Sequence, residues 1–481
     1  MYFNSVLFLL LFFPCFFLLY LLVAAKLKNY VMLIGSLLFL AFNQFLSLLL
    51  IIVLVCVNFF IGKRIEDLRH REKKCRRLLF AGCSFNLAVL VLFKLLVSAH
   101  SGWSAAGTTA GTGGFIFPIG LSYVSFQMIS YLIDVRNDAC SSEKSFLSFS
   151  LYALLFPKIL VGPVARYRDL SAQLVTRTAT SQDVAAGLRR FVVGLMKKVL
   201  IADTLSNTIN PAFALSAPSF STGTAWFVLI GFAIQLYFDF SGFTDMAIGL
   251  ARMAGFRFVE NFDFPYISRS IGEFWRRWHI SLSSWFRDYV FLPLEVARRQ
   301  SRFLRQQTNI LLVFLLTGLW HGFTISFLAW GAFLGLALAL EMSGLSRLLK
   351  KAWVPLQHVY ALSIILAGWV FFRSTSLGYA VQFFARLAGA GRPVTPLPFA
   401  LTRPLPFIDP SVWLALALGV ILSVPVVPAV REAWRRFSQS RGLLHALCRT
   451  GADGALLCGL LVTLGAMTDR GQIVTNIYAR F

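Results

Sequence analysis

The chain is dominated by apolar blocks that are long enough to cross a lipid bilayer as helices. Two of them are Leu78 to Val97 and Phe115 to Ile133. At about 1.5 Å of rise per residue, each block reaches across a hydrocarbon layer of roughly 30 Å. Over the whole chain, 57% of the residues are hydrophobic and only 14% are charged, which is far more apolar than a water-soluble core requires. The sequence therefore predicts an all-α, polytopic membrane protein with about ten transmembrane helices and no separate soluble domain.

The formal net charge of +24 has an ordinary explanation in such a protein. The basic residues lie in short runs between the apolar blocks, as the positive-inside rule describes, so nucleic-acid binding is not indicated. The runs Lys63 to Arg77, Arg298 to Arg305 and Arg431 to Arg449 are predicted to be cytoplasmic. Both chain ends are then predicted on the outer side of the membrane. Membrane lipids with anionic headgroups, or an acidic partner, would be attracted to the basic face.

The cysteines do not indicate a disulfide framework or a zinc site. Their spacings show neither pairing nor closely set ligands, so we interpret them as structural or incidental. The seven residues are Cys15, Cys56, Cys75, Cys83, Cys140, Cys448 and Cys458.

One apolar block, Phe146 to Val161, has basic flanks on both sides, which predicts that both of its ends are cytoplasmic. A re-entrant segment broken at Pro157 satisfies these flanks. Irregular backbone at membrane depth is tolerated where protein or a cavity surrounds it. Earlier in the chain, Asn43 and Gln44 divide another apolar stretch into a predicted pair of short segments.

The segment Asn309 to Leu340 holds a single ionisable residue, His321, and also has basic flanks on both sides. A helical hairpin turning near Gly318 to Gly322 keeps both flanks inside and places His321 at the turn, deep in the membrane. An ionisable residue at this depth is a functional candidate, because its burial is costly. A neutral imidazole there could take a proton from an attacking hydroxyl group.

Aromatic and charged residues interleave between Arg257 and Gln307 more densely than elsewhere. If Ile271 to Val290 is one helix, a cationic stripe forms at spacings of three and four on one side, opposite an aromatic side. The stripe consists of Arg276, His279, Ser283 and Arg287. One interpretation is an interfacial anchor whose arginines reach lipid phosphates. The other is a donor-binding platform, because arginine pairs bidentately with phosphate and histidine exchanges protons.

Two carboxylates, Asp239 and Asp245, enter an otherwise apolar span. They could bind a metal or a sugar, or pair with nearby arginines. Pairing is the better interpretation, since no further His or Glu lies at ligand spacing. We therefore predict no metal site.

Seven segments, taken together and in order, resemble the membrane-bound O-acyltransferase family. The resemblance is strongest to its bacterial branch, which contains the alginate O-acetyltransferase membrane subunit and the teichoic-acid D-alanyl transferase. It covers Pro118 to Ser374. The segments are PIGLSYVSFQMISYLIDV, FPKILVGPVARYRDL, GLMKKVLIADTL, FDFSGFTDMAIGLA, FWRRWHISLSSWFRDYVFLPL, LTGLWHG and WVFFRS.

The resemblance implies that His321, in the sequence Trp320-His321-Gly322, is the catalytic histidine, and that His279 is the second histidine of the same chemistry. Trp320, Asp239 and Asp245 would then be structural or line the acyl path. The motifs of this chain are most similar to those of the polysaccharide-acetylating branch. The Pro-rich segment Arg392 to Pro410 and the ending Asn476 to Phe481 depart from that branch, so the acceptor polymer and partner contacts stay open.

The leading hypothesis is an O-acyltransferase of the bacterial inner membrane that moves acetyl from a cytoplasmic donor through a tunnel toward exopolysaccharide hydroxyls, as in alginate. The donor would be acetyl-CoA or a carrier-bound acyl thioester, with no tightly bound cofactor. Because no esterase-type nucleophile motif is evident, a periplasmic esterase-like acyltransferase is expected as a partner. An acyl group other than acetyl, such as D-alanyl, is the nearest alternative. A polysaccharide or lipid transporter is another, although no internal repeat supports it.

Overall fold

The computed structural model describes residues 2–100, 117–215, 217–300, 304–390, 409–438 and 442–470. Within these ranges all the regular secondary-structure elements are helices. The one β-type contact there is an isolated antiparallel bridge between Phe262 and Trp278. The all-α prediction is therefore confirmed. Most of the Pro-rich segment, 391–408, and the ending, 471–481, lie outside the described residues.

The first part of the chain forms a layer of long and short helices around a kinked segment. The predicted break at Asn43 and Gln44 is confirmed, because two helical segments meet there at a kink within α2, where Gln44 has non-helical φ and ψ of −158° and 94°. Its side chain accepts hydrogen bonds from Ser47 and from the backbone of Ile119, which stabilises the kink. The helices are α1 (Phe13–Leu22), α2 (Lys28–Asp67), α3 (Glu72–His100), α4 (Leu121–Arg136), α5 (Phe146–Leu154), α6 (Phe156–Ile159) and α7 (Tyr167–Val175).

The apolar block Phe146 to Val161 is interrupted two residues before the break that was predicted at Pro157. The helical conformation ends at Leu155, with φ −50° and ψ 107°, so α5 and α6 are separate. Leu155 lies two positions before Pro157, which occupies the first turn of the new helix α6, where a proline is well tolerated.

The middle of the chain supplies α10, which is the most buried of the six helical stretches in the described residues that could cross a membrane. Its partner α8 crosses it at glycines: a Cβ on Gly194 would lie 2.5 Å from the carbonyl oxygen of Gly242, and one on Gly187 would lie 2.6 Å from that of Gly249. Small residues allow such close backbone approach between membrane helices. The helices are α8 (Ser181–Met196), α9 (Thr204–Ala212), α10 (Thr222–Met253), α11 (Ile271–Arg277), α12 (Ile280–Phe286) and α13 (Leu292–Ala297).

The last part begins with two antiparallel helices, α14 and α15. They also meet at glycines, because a Cβ on Gly318 would lie 2.5 Å from the carbonyl oxygen of Phe327 and one on Gly331 would lie 2.4 Å from that of Phe314. The predicted hairpin is thus confirmed. The helices are α14 (Arg305–His321), α15 (Ile325–Leu340), α16 (Ser346–Leu349), α17 (Val354–Arg373), α18 (Leu377–Leu387), α19 (Ser411–Leu422), α20 (Val426–Ser438) and α21 (Gly442–Arg470).

Six helical stretches in the described ranges are long and apolar enough to cross a membrane, or seven if the bent pair α19 and α20 counts as one span. The protein is therefore a multi-pass membrane protein, while the expected number of about ten is not reached by this criterion. The two helical segments that meet at Gln44 are counted as a single stretch, which contributes to the difference. Shorter apolar helices, including Phe146–Ile159, account for further predicted segments.

Candidate active site

His321 is the last residue of α14, at the turn of the hairpin. The turn comprises Gly322 to Thr324, so it begins at the last residue of the predicted turn, Gly318 to Gly322. The amide of Gly322 donates to the carbonyl of Gly318 at 3.1 Å and ends α14, and the Thr324 side chain accepts from Phe327 N at 3.3 Å and starts α15. Both helix ends that flank His321 are therefore fixed by local hydrogen bonds.

Aromatic rings surround the His321 imidazole, which is only 7% exposed. The rings of Trp330 and Phe372 approach it edge-on, with centroids at 5.2 and 5.0 Å. Trp320 lies at 4.6 Å, and Phe327 is stacked at 5.9 Å. These rings come from the hairpin and from α17, so the packing of α17 on the hairpin determines the shape of the site around the histidine.

Lys94 of α3 contacts the C-terminal end of α14, next to the same turn. Its ammonium donates to the main-chain carbonyl of Trp320 and lies over the rings of Trp320 and Phe117, 5.5 and 5.7 Å from their centroids. The last carbonyls of a helix have no partner within it, and a cation there also complements the helix dipole. Lys94 therefore caps α14 one residue before His321 and lies within electrostatic reach of the imidazole.

The second histidine, His279, lies at a break between two helices. The prediction of one helix from Ile271 to Val290 is wrong: α11 ends at Arg277, Trp278 is extended, and His279 has left-handed φ and ψ of 45° and 51°. The cause is tertiary, because extended Trp278 pairs with Phe262 in the antiparallel bridge. His279 is 3% exposed and lies within electrostatic reach of His321. The fold thus brings the two histidines into one region.

Asn261 organises the break. Its carbonyl accepts from Ile280 N at 3.0 Å, and its side-chain Oδ1 accepts from Ser281 N at 3.1 Å and from Ser281 Oγ at 2.7 Å. The same Oδ1 lies 3.3 Å from His279 Nδ1. On the other side, the His279 ring makes a T-shaped contact with Phe240 of α10, with 4.6 Å between the ring centroids. His279 is therefore held by polar contacts on one side and by the buried helix α10 on the other.

The predicted cationic stripe does not form, because its members belong to two helices separated by the break. Arg276 is exposed near the end of α11, and the Ser283 hydroxyl donates to the carbonyl of Trp278 at 3.2 Å. Arg287 is exposed and pairs with Asp288 at 2.7 Å. Burial alone would raise the pKa of Asp288, but hydrogen bonds from Arg287 and Arg166 hold the pKa below its usual range. The Asp288 carboxylate therefore stays charged near neutral pH, and Arg287 is already engaged with it.

The two aspartates of α10 form ion pairs with different partners. Asp245 pairs with Arg190 at 2.8 Å and with Lys197 at 2.7 Å, so the expectation of arginine pairing is confirmed there. Asp239 is also paired, but its partner is a lysine, Lys198, at 2.7 Å. Lys198 also pairs with Asp203, and all three side chains are buried. The reason is the π-helical stretch Lys197–Asp203, which packs on α10.

Sequence reasoning missed Asn261, Ser281 and Lys94, although signals for two of them were present. Lys94 is the single charged residue of the apolar block Leu78 to Val97. A lone intramembrane charge is a functional candidate by the criterion applied to His321. Asn261 lies in the same unusual stretch as His279. Ser281 carried no signal, because its importance comes from contacts made only in the folded chain.

Known proteins resemble this chain over most of its length. The model of the membrane-bound O-acyltransferase family matches residues 2–376. A protein of Azotobacter vinelandii named probable alginate O-acetylase AlgI is 41% identical over 396 residues, covering 81% of this chain and 79% of that protein.

Two further relatives carry other names. The peptidoglycan O-acetyltransferase of Helicobacter pylori is 30% identical over 427 residues, covering 80% of each chain. The teichoic acid D-alanyltransferase of Bacillus subtilis is 29% identical over 226 residues, covering 45% of this chain and 56% of that protein. Because the family match spans most of the chain and includes both histidines, this protein belongs to the membrane-bound O-acyltransferase family.

Proposed function

We propose that this O-acyltransferase moves acetyl from a cytoplasmic thioester donor across the bacterial inner membrane for the O-acetylation of an exopolysaccharide such as alginate. The observation that carries the proposal is the placement of His321, a buried histidine at a helix end with His279 and Lys94 within electrostatic reach. The names of the relatives support acetyl as the acyl group and a polysaccharide as the acceptor.

In the proposed reaction, His321 acts as the general base. The imidazole takes the proton of the acceptor hydroxyl while the hydroxyl oxygen attacks the thioester carbonyl carbon. The tetrahedral intermediate collapses, the carbon–sulfur bond breaks, and the leaving thiolate takes the proton from the imidazolium. The products are an O-acetyl ester and a free thiol, and His321 returns to its starting state. The aromatic enclosure keeps water from competing with the acceptor.

His279 has two candidate roles in this reaction, a second acid–base group or a hydrogen-bonding partner of the donor. We assign it to the donor side, since it follows Arg252 and Arg257, whose charges favour a cytoplasmic location by the positive-inside rule. The donor is acetyl-CoA or a carrier-bound acetyl thioester. The arginines Arg276 and Arg287, with Ser283, remain candidate donor contacts, now as separate groups on either side of the break.

Completion of the transfer requires a partner in this proposal. We propose a periplasmic esterase-like acyltransferase that receives or delivers the acetyl group at the polymer. Relatives named for alginate and for peptidoglycan leave the polymer itself to experiment. D-alanyl is the second acyl group to test, because a shorter and more distant match carries that name.

The test is acetyl transfer by the purified protein with acetyl-CoA and with an acetylated carrier protein, together with polymer O-acetylation in cells. His321→Ala should lower transfer by about a hundredfold or more, the scale of a lost general base. His358→Ala is the matched control, since His358 is half-buried and its Nδ1 lies 3.3 Å from the Ser268 carbonyl, outside the site. Normal acetylation in His321→Ala contradicts the proposal. Transfer of D-alanyl in place of acetyl contradicts the choice of acyl group.

The proposed topology has its own test. With about ten spans and both ends in the periplasm, single cysteines placed in Lys63 to Arg77 and in Arg298 to Arg305, in an otherwise cysteine-free chain, should react with an impermeant reagent only from the cytoplasm. Labelling of the second segment from outside would contradict the inward orientation of the hairpin that carries His321.

A further inference from the structure

One side-chain oxygen, Asn261 Oδ1, lies within hydrogen-bond distance of three groups at the helix break. It accepts from the backbone N–H and the hydroxyl of Ser281, and it lies 3.3 Å from His279 Nδ1. Asn261 is fully buried, and His279 and Ser281 are nearly so. The inference drawn from this oxygen rests on the proposed function, because it concerns the chemistry of His279.

The identity of the atom facing His279 is determined by its other contacts. The two ends of an asparagine amide differ in chemistry, and their assignment follows from the hydrogen-bond network. The backbone N–H of Ser281 can only donate, so the Asn261 atom 3.1 Å from it must be the oxygen. The same oxygen faces His279 Nδ1, and therefore the imidazole must present a hydrogen there.

From this chain of contacts, we propose that Asn261 is a positioning residue that holds His279 as the tautomer with hydrogen on Nδ1. In the neutral ring the lone pair then lies on Nε2, which is the atom of His279 that acts in acyl transfer. A neutral histidine has one donor and one acceptor nitrogen, and a fixed bond at one nitrogen determines the role of the other.

The frame around His279 extends beyond Asn261. Ser281 Oγ accepts from Val164 N at 2.9 Å while it donates to Asn261 Oδ1, so the segment after α6 joins the same network. The ring of Phe240 limits His279 on the opposite side. Together these contacts prevent the ring flip that would exchange Nδ1 and Nε2.

A purely structural role is the alternative, in which Asn261 only holds the helix break together. The two roles differ in what they change. If Asn261 is only structural, its removal lowers the fraction of folded protein. If Asn261 positions His279, its removal lowers the turnover of each folded molecule. Loss of a positioning residue should lower kcat more than it raises KM, because the oriented imidazole acts mainly in the transition state.

The experiment measures kcat and KM for acetyl transfer per folded protein in Asn261→Leu and Asn261→Asp. Asn261→Leu should lower kcat about tenfold to hundredfold, the range seen for partners that orient a functional histidine. Asn261→Asp keeps an acceptor oxygen and should recover most of that loss. The matched control is Asn86→Leu, since Asn86 is also fully buried and hydrogen-bonded, to Asn58 and the Gly82 carbonyl. It should lose stability but keep its turnover.

A second variant covers the case in which Asn261→Leu does not fold. His279→Asn keeps an amide donor near the Nδ1 position, tolerates the left-handed backbone, and lacks Nε2. It should remain folded and lose at least a hundredfold in kcat. A folded His279→Asn with turnover within twofold of the original overturns the inference, as does Asn261→Leu with unchanged kcat. If the unaltered protein transfers no acyl group from any donor, the proposed function fails instead, which is a distinguishable result.

Discussion

The two histidines of the site are held in different ways. His279 lies at a break between helices, where directional hydrogen bonds around Asn261 orient its ring. His321 lies at a helix end among the rings of Trp320, Trp330 and Phe372. Hydrogen bonds distinguish one nitrogen from the other, whereas ring packing restricts mainly the plane and position of the imidazole. The two histidines should therefore respond to different kinds of substitution, even if they act on one reaction.

The largest expected effect comes from removing the histidines singly and together. His321→Ala and His279→Asn should each lower acetyl transfer by about a hundredfold or more. If both act in the same step, the double variant should be little slower than the slower single variant, because residues that act as a unit are not additive. The measurement is kcat/KM for all four proteins. Fully multiplicative losses would show that the histidines act in separate steps.

A smaller effect should follow from separating the helices that carry His321. In Gly331→Ala the new Cβ would lie 2.4 Å from the Phe314 carbonyl oxygen, so α14 and α15 must move apart. Overpacking of this kind costs about 1–3 kcal/mol of unfolding free energy. Detergent-induced unfolding measures that cost, and transfer should slow about tenfold as the rings shift around His321. Gly454→Ala is the control, since its Cβ would meet nothing within 4 Å. An unchanged Gly331→Ala would mean that the hairpin does not position the histidine.

The cap on α14 should have a smaller influence. Lys94→Met removes the donor to the Trp320 carbonyl while keeping much of the apolar stem. A hydrogen bond contributes about 0.5–1.5 kcal/mol net, and about 1.4 kcal/mol corresponds to a tenfold change in rate, so we expect kcat to fall up to about tenfold. Lys94→Arg, which retains a charged donor, should recover part of the rate, and Lys74→Met at an exposed position should have no effect. Equal rates for Lys94→Met and the unaltered protein would exclude the cap as a determinant of His321 geometry.

The smallest effect is expected at the arginines of the broken stripe. Arg276→Ala should raise the half-saturating donor concentration about two- to fivefold, the scale of an exposed charge contact. Arg287→Ala should do less, because its guanidinium is already paired with Asp288. Titration of acetyl-CoA against both variants provides the test. If neither variant changes donor affinity, these arginines belong to an interfacial anchor.

The part of the site that could be predicted from sequence was the part determined by local chemistry. The basic flanks and the glycines around His321 were enough to predict the hairpin and its turn, because charge location and chain reversal are local properties. The break at Trp278 and His279 could not be predicted in the same way. The residues from Ile271 to Val290 satisfy helical periodicity, and the competing bridge to Phe262 forms only in the folded chain.

The same distinction explains the two aspartates of α10. The pairing of Asp245 with Arg190 followed from the general cost of a buried charge, which requires some basic partner. The choice of Lys198 for Asp239 depends on how the π-helical stretch turns two consecutive lysines toward different carboxylates. No spacing rule for ordinary helices anticipates that arrangement.

The left-handed backbone of His279 also restricts how this position can change during evolution. That conformation costs roughly 1–2 kcal/mol for most residues, but it is populated comparatively often by asparagine, aspartate, histidine and glycine. A mutation to any other residue must therefore overcome a backbone penalty as well as the loss of the imidazole. Substitution by asparagine, aspartate or glycine adds little backbone penalty. Of these three residues, only asparagine and aspartate keep a polar side chain of similar length. The backbone thus limits variation at the site before selection on catalysis acts.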